Sequence, residues 1–478
     1  MLKDYFLSRL HFHFPHEPTV SQSVAIDKMS SFVALKQPNY TFLLKGYAGT
    51  GKTLLIKSLV TTLRESDFNA VLLAPTGRAA KVLSKAVDIP AYTIHKYIYN
   101  RESSIDYFSG FKVSYNRQKS TFFIVDEASM ISNESSGGAF FGSGRLLDDL
   151  IEFVYKGTGC KLIIVGDTAQ LPPVSTLISP ALDADYLSGY GREIIETELR
   201  DVVRQHHDSG ILYNATTIRT ALSNGFYEGC YPKLETVRFN DTHALNGAEV
   251  QEEINRCYDL YGEEETLIIC RSNKRSNLYN TGIRNTILFK EDEISTGDYL
   301  LITRNNYYWV KDHPKIEFIA NGDIGKVVRI KNYHNMYGYR FADITCELMD
   351  YKDVDIDVRI NLDTLQLPGA GFSVGQQEEF YNVVMEDYQD ISSAKKRYES
   401  LQSNQFFNAL QVKFAYAMTC HKSQGGQWKA VFIDMGYFKE EYLGRDLYRW
   451  LYTAVTRASE QLYFINFPKE FYSDKMRE

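Results

Sequence analysis

The stretch Gly46-Tyr-Ala-Gly-Thr-Gly-Lys-Thr53 obeys the pattern G-x-x-x-x-G-K-[ST]. Glycines at this spacing let backbone N–H groups close around phosphate oxygens. The lysine then reaches the outer phosphates and the hydroxyl ligates Mg2+. Gly46, Ala48, Gly49, Thr50, Gly51, Lys52 and Thr53 are the expected nucleotide cradle, with Thr53 on the metal. A second element, Phe122-Phe-Ile-Val-Asp-Glu127, is an apolar run ending in two carboxylates. Asp126 is expected to hold Mg2+, and Glu127 to act as general base on the water that attacks a γ-phosphate. A third, Ile163-Ile-Val-Gly-Asp-Thr-Ala-Gln-Leu-Pro-Pro-Val174, runs from apolar residues into a polar turn. Gln170 is suited to sense the γ-phosphate, and Asp167 to hold the turn or the metal's water shell. Either of the last two alone reads equally well as a solvated strand end. Beside the phosphate loop they read as a site that hydrolyses ATP.

These residues need a scaffold. Residues 40–44 read as a buried strand entering the glycine turn, and residues 53–63 as the helix leaving it. Apolar positions at helical spacing mark residues 19–35, and 78–86 form another expected helix. Residues 71–73, 122–125 and 162–165 are further strands. The pattern returns at 266–270, with a helix from about Ser276, and at 431–434 and 462–465. Strands alternating with helices predict parallel α/β sheets, here in two domains. Between about 290 and 411 the runs are short and β-like (299–303, 324–330, 341–348), followed by an acidic helical stretch over 376–400. The patch Ser135-Ser-Gly-Gly-Ala-Phe-Phe-Gly-Ser-Gly144 reads as a flexible loop.

A chain of 478 residues is too long for one core, so two to four domains are expected. The net charge of −7 excludes a histone-like binder, so any nucleic-acid contact must use a local groove. Aromatic residues are abundant; most serve the core, and a minority can stack on unpaired bases. The six cysteines form no CxxC pair, which argues against a zinc or iron–sulfur framework and for reduced, buried thiols of a cytoplasmic protein. The N-terminus lacks a signal-peptide core. No run approaches the ~18 apolar residues of a membrane span, so no membrane partner is expected.

The segments GYAGTGKT, LAPTGRAAKVLS (73–84), IVDEASM (124–130), VGDTAQLPPV (165–174), CHKSQG (420–425) and YTAVTRA (452–458) occur in order. They resemble motifs I, Ia, II, III, V and VI of superfamily 1 helicases, in the RecD- and Dda-like group 1B. NGDIGKV (321–327) resembles the start of that group's β-barrel insert. The motifs span residues 46 to 458, nearly the whole chain.

The resemblance implies two RecA-like P-loop domains with parallel sheets, a small pin insert and an SH3-like barrel insert. The expected boundaries are 1–98 with 121–198 for the first RecA-like domain, 99–120 for the pin, 199–290 with 412–478 for the second RecA-like domain, and 291–411 for the barrel insert. The chain starts just before Gln22, so no added N-terminal domain is expected. Arg457 in motif VI and Arg204 in Leu199-Arg-Asp-Val-Val-Arg-Gln205 match the family's arginine fingers, and Gln22 matches the glutamine that reads adenine. A surface charge is the plainer reading of Arg204, and an exposed helix-start amide that of Gln22. Pro75, Thr76, Arg78 and His95 match elements that hold the nucleic-acid strand, as do Thr419, His421 and Lys422 of motif V. Ser423, Gln424 and Gly425 would link that strand to the nucleotide. Buried, hydrogen-bonded histidines are the plainer reading of His95 and His421. The stretch 97–120 matches the strand-separating pin; Tyr107, Phe108, Phe111 and Tyr115 either stack at the fork or form a small local core. The loop after motif II is longer than the group's minimal form, and no nuclease constellation is evident.

The implied activity is an ATP-dependent DNA helicase, working with Mg2+ on single-stranded DNA and forks, 5′ to 3′, as a monomer, in repair, recombination or replication. An RNA helicase or a protein-displacing translocase is the main alternative. A guanine-reading switch is disfavoured because Asn273-Lys-Arg-Ser276 lacks the needed Asp. A non-catalytic scaffold is disfavoured because the catalytic set is complete.

Overall fold

The computed structural model describes residues 2–37, 39–101, 111–134, 142–173, 176–201, 209–314, 316, 318–349, 351, 354–369 and 371–473. The chain divides into two compact units, one within residues 1–102 and 108–207, the other within 208–478.

The first unit carries β1 (Tyr40–Gly46), β2 (Asn69–Ala74), β3 (Ala91–Thr93), a short antiparallel hairpin of β4 (Tyr99–Arg101) and β5 (Phe111–Val113), then β6 (Thr121–Val125), β7 (Lys161–Gly166) and β8 (Glu193–Leu199). Six of these form a parallel sheet in the order β3-β2-β6-β7-β1-β8. Every residue of β6 and β7 is buried, as expected where helices cover both faces of a parallel sheet. The strand period of two splits the core. Phe42, Leu44, Phe122 and Ile163 pack with the helices Leu2–His13, Val20–Ala34 and Lys52–Glu65, while Leu43, Phe123 and Ile164 pack with Leu146–Lys156 on the other face. Lys161, at the start of β7, donates from its buried ammonium to Phe32 O (3.0 Å), Val33 O (3.3 Å) and Leu35 O. It thereby satisfies carbonyls at the C-terminal end of the helix Val20–Ala34. Burial lowers its pKa to about 8.

The second unit begins its sheet with β9 (Thr242–Leu245) and β10 (Thr266–Cys270). The chain then leaves to build a closed barrel from β11 (Tyr299–Ile302), β12 (Ile324–Met336), β13 (Tyr339–Leu348), β14 (Asp355–Asn361) and β15 (Leu410–Phe414). It returns as β16 (Ala417–Thr419), β17 (Trp428–Asp434) and β18 (Ala458–Ile465), giving a parallel sheet in the order β16-β10-β17-β18-β9. The root of the barrel is fixed by Asp298, whose fully buried carboxylate accepts from Arg284 Nε (3.1 Å), Lys290 Nζ (3.2 Å), Tyr416 OH (2.9 Å) and Ser295 N (2.8 Å).

The expected parallel α/β architecture with a β-rich insert is present. The acidic stretch 376–400, expected as one helical run, is two helices, Val374–Glu386 and Ala394–Ser403. The break occurs because Ser393 caps the second helix, accepting from Lys396 N. Both pack on Phe341 of the barrel through Phe380, Val384 and Leu401. Five cysteines are buried as expected, but Cys230 is exposed. Among the described residues no helix is long and apolar enough to cross a membrane, and no His/Cys/Asp/Glu cluster could hold a metal ion.

Candidate functional site

The C-terminal ends of β1, β2, β6 and β7 share one edge of the first sheet, and the loops leaving them carry the expected chemistry. Ligands bind at this edge in open α/β sheets because helix N-termini and loop N–H groups converge there. At the end of β1, Gly49 (φ +78°) and Gly51 (φ +89°) take left-handed conformations, and Gly51 caps the helix Lys52–Glu65. Lys52 Nζ donates to Gly46 O (2.7 Å) and Tyr47 O (2.9 Å), and Thr50 Oγ1 to Tyr47 O (2.8 Å). The loop is thus closed around its own lysine, with Thr53 half-buried in the first helical turn.

Gln22 is 1% exposed, which corrects its plainer reading as a surface amide. Its Oε1 accepts from Thr19 N (3.0 Å) in a capping box, and its Nε2 donates to Thr50 O (2.9 Å). Beside it, Ser21 N (3.0 Å) and Oγ (2.7 Å) donate to Asp201. That contact, which carried no signal in the sequence, anchors the chain at the point where it enters 202–208. Arg204 lies outside the described residues.

Asp126 follows β6, its N–H bonded to Leu73 O (3.0 Å), and its Oδ1 accepts from Glu127 N (2.9 Å). Burial, and then the neighbouring Glu127, push the Asp126 carboxyl well above the usual carboxylate range; Glu127 N–H and Lys52 only partly oppose this. Glu127 sits at φ +51°, a strained backbone for a residue with a side chain. After β7, the fully buried Asp167 accepts from Ala169 N (2.9 Å), so it holds the turn. Gln170 is 4% exposed and its side-chain oxygen has no hydrogen-bond partner among the described residues. A buried carboxylate in need of a cation and a buried amide in need of a donor fit a bound nucleotide with its metal and water.

After β2, Pro75 leads into Thr76, whose Oγ1 accepts from Ala79 N (3.2 Å) and caps the helix Gly77–Val87, which carries Arg78 in its first turn. His95 lies against Tyr99 (centroids 5.8 Å), and burial lowers its pKa, opposed by Asp149. Of the pin aromatics, Tyr107 and Phe108 lie outside the described residues, Phe111 pairs its backbone with Arg101, and Tyr115 is 76% exposed.

In the second unit, β16 ends at Thr419 and opens a short helix, Cys420–Ser423. Gln424 is buried and Gly425 sits at φ +77°. Arg457 is 5% exposed and knots this loop to its own helix: Nε donates to Thr453 O (3.0 Å), Nη1 to Gly426 O (3.1 Å) and Nη2 to Thr456 Oγ1 (3.1 Å). A shallow, open cleft adjoins motif V, lined by Asn273, Asn277, Thr303, Lys413, Thr419 and Lys422 among others. Lys413 donates to Leu367 O, and Lys422 to Asn321 Oδ1 (2.7 Å), both neutral oxygens. Burial lowers each ammonium to about 8, and an anion in the cleft would favour the charged form of both. Burial also lowers His421. Reading motif by motif gave Lys413 and Asn273 no place in a site; they reach the cleft from β15 and from the first residue of the expected helix, which runs over Asn273–Gly282.

A family profile described as an AAA domain matches residues 31–224, and one described as a UvrD-like helicase C-terminal domain matches 414–465. The ATP-dependent DNA helicase Dda of Enterobacteria phage T4 is 23% identical over 90% of this chain and 96% of its own length. The ATP-dependent RecD2 DNA helicase of Deinococcus radiodurans is 22% identical over 88% of this chain and 46% of its own. Several relatives are thus longer: this chain spans 38% of an uncharacterized protein of Methanocaldococcus jannaschii to which it is 24% identical over 92% of its own length. A Pif1 helicase structure from Bacteroides aligns with a TM-score of 0.47 at 16% identity, covering 93% of this chain and 94% of that one. The phosphate loop with its paired carboxylates on one parallel sheet, the motif V and VI pair on a second, the closed barrel between its strands and the profile and relative matches agree. These findings support a superfamily 1B helicase.

Proposed function

We propose that the chain is an ATP-dependent DNA helicase that translocates along single-stranded DNA, 5′ to 3′, in repair, recombination or replication. The observation that carries this reading is the pairing of two devices. One sheet presents Lys52, Thr53, Asp126, Glu127 and Gln170 at a common edge. The other presents an arginine, Arg457, bonded directly into the loop that carries His421 and Lys422. A hydrolase alone needs only the first device. The second supplies a path by which the nucleotide state reaches a strand-gripping loop. Dda and RecD2 are named as DNA helicases, which supports DNA as the track.

In this reading Lys52 exchanges its two carbonyl partners for the outer phosphates. Thr53 and Asp126 would hold Mg2+, which supplies charge neutralisation between phosphate oxygens. Glu127 orients and deprotonates the attacking water, and Gln170 uses its unpartnered oxygen to hold that water. Arg204 and Arg457 stabilise the developing charge; Arg457 must first release an internal bond, which would loosen Gly426 and hence motif V. Thr76, with Pro75 and Arg78, grips the strand from the first unit, while Thr419, His421 and Lys422 do so from the second. Grip alternating between them moves the motor one way. We assign the nucleotide to the first RecA-like domain and the strand-clamping role to the barrel insert, the protein acting as a cytoplasmic monomer.

The test is ATP hydrolysis by the purified chain with and without single-stranded DNA, beside Lys52→Ala. Strong stimulation lost in the variant, followed by unwinding of forks with a 5′ tail, is the expected result. Hydrolysis indifferent to DNA, or stimulated only by RNA, would overturn the DNA reading.

A further inference from the structure

The described residues of the segment 303–323, which joins β11 to β12, are cross-braced by hydrogen bonds. Asn306 and Ile319 exchange both backbone N–H bonds at 2.8 Å. Asn306 Oδ1 accepts from Tyr308 N (3.0 Å) and Trp309 N (3.3 Å). Its Nδ2 and Trp309 Nε1 both donate to Asn408 O at 2.8 Å. At the far end Asp323 accepts from Ala320 N (2.8 Å), and Gly322 turns the chain at φ +98°, which only glycine adopts without strain. The residue this frame holds outward is Tyr307. It is 48% exposed, and its ring stacks on Phe318 at 5.5 Å and 23°.

Tyr307 is also tied to the strand-gripping loop. Asn305 precedes it by two residues in the same frame. Asn305 Oδ1 accepts from Asn321 N (2.7 Å), and Asn321 Oδ1 accepts from Lys422 Nζ (2.7 Å). An exposed, backed aromatic ring therefore stands two asparagines away from a motif V ammonium, beside a cleft whose two lysines lean on neutral oxygens. In a chain of net charge −7 this local excess of positive charge favours a polyanion over an acidic-poor protein surface. Sequence-independent strand binders combine the same two elements, a cationic track for phosphates and an aromatic face for bases.

We propose that Tyr307, backed by Phe318, is a stacking platform for the base adjoining the phosphate that Lys422 holds. This rests on the motor reading and adds a contact to a base, made by the barrel, to the backbone contacts of the motifs.

The test is an anisotropy titration of fluorescent oligo(dT) with the full chain, Tyr307→Ala and Tyr307→Phe over a range of salt. It is repeated on the wild-type chain and the alanine variant with oligonucleotides carrying one abasic site at successive positions. Tyr307→Ala is expected to weaken binding about tenfold without changing the salt slope, since stacking releases no counterion. Tyr307→Phe should bind as the wild type does. One abasic position should weaken the wild type and leave Tyr307→Ala indifferent, and DNA-free ATP hydrolysis should be equal in all three. Unchanged binding by Tyr307→Ala, or the absence of such an abasic-sensitive position in the wild type, overturns the platform and leaves the motor standing. A wild-type chain that does not bind oligo(dT) overturns both.

Discussion

Gln22 Nε2 donates to Thr50 O at 2.9 Å, and a Cβ added to Gly51 would come within 2.7 Å of the same nitrogen. One buried amide thus joins the start of the helix Val20–Ala34 to the tightest point of the phosphate loop. The two functions of that amide can be separated. Thr19→Ala removes the cap and should cost about 1 kcal/mol in chemical denaturation while leaving the KM for ATP unchanged. Gln22→Ala should lose the same stability and raise the KM as well. Equal KM values for the two variants would assign Gln22 a capping role alone.

Gly51→Ala should do more damage than either. The left-handed backbone at φ +89° costs a side chain about 1–2 kcal/mol, and the added methyl group displaces Gln22. The expected result, read by binding of a fluorescent nucleotide, is loss of affinity beyond that of Gln22→Ala.

Arg457→Ala should lower kcat for DNA-stimulated hydrolysis by about a thousandfold. Arg457→Lys should recover little of it, because a lysine cannot reproduce the three bonds to Thr453, Gly426 and Thr456. Steady-state kinetics on both variants decide this; wild-type rates in Arg457→Lys would reduce the residue's role to a point charge.

Lys161 makes a pH prediction. Burial holds its ammonium at about 8 when folded, against the ordinary lysine value of 10.5 when unfolded. Between these values the unfolded chain holds a proton that the folded chain has released, so stability rises with pH through this window. The penalty of the buried charge is fully present below about 8. Denaturation midpoints measured from pH 7.5 to about 9.5, below the range where tyrosines titrate, should increase. The increase should shrink in Lys161→Met, with Lys413 and Lys422 supplying the remainder. An identical slope in the variant would place the titration elsewhere.

Asp298→Ala should be the most destabilising substitution in the second unit. It leaves Arg284 buried and Lys290 half-buried without their carboxylate, a loss of about 3–5 kcal/mol. Chemical denaturation reads it directly.

Legibility in the sequence followed burial and backbone constraint. β6 and β7 are unbroken apolar runs, buried on both faces, and could be read directly. The edge strand β8, Glu-Ile-Ile-Glu-Thr-Glu-Leu, escaped because its acids resemble a solvated surface, and β3 and β9 are too short to show a period. The phosphate loop was legible because only glycine tolerates its φ values. Asp298, Lys161 and Lys413 were not. A buried charge is set by partners far along the chain, here Arg284 with Tyr416, Phe32 and Leu367, and no local pattern announces such a meeting.

The position of β18 between β17 and β9 also governs how the molecule comes into being. The first sheet has all of its strands once Leu199 has been made. In the second, β9 waits for its sole neighbour until residues 458–465 are synthesised, and the barrel must close in the interval. At ribosomal rates of ~5–20 residues per second, the wait from Leu245 to Ala458 lasts about ten to forty seconds. For that time a nascent chain carries a complete phosphate loop beside an unfinished sheet with sticky apolar edges. Chaperone dependence and aggregation during expression should therefore concentrate in the second half of the protein.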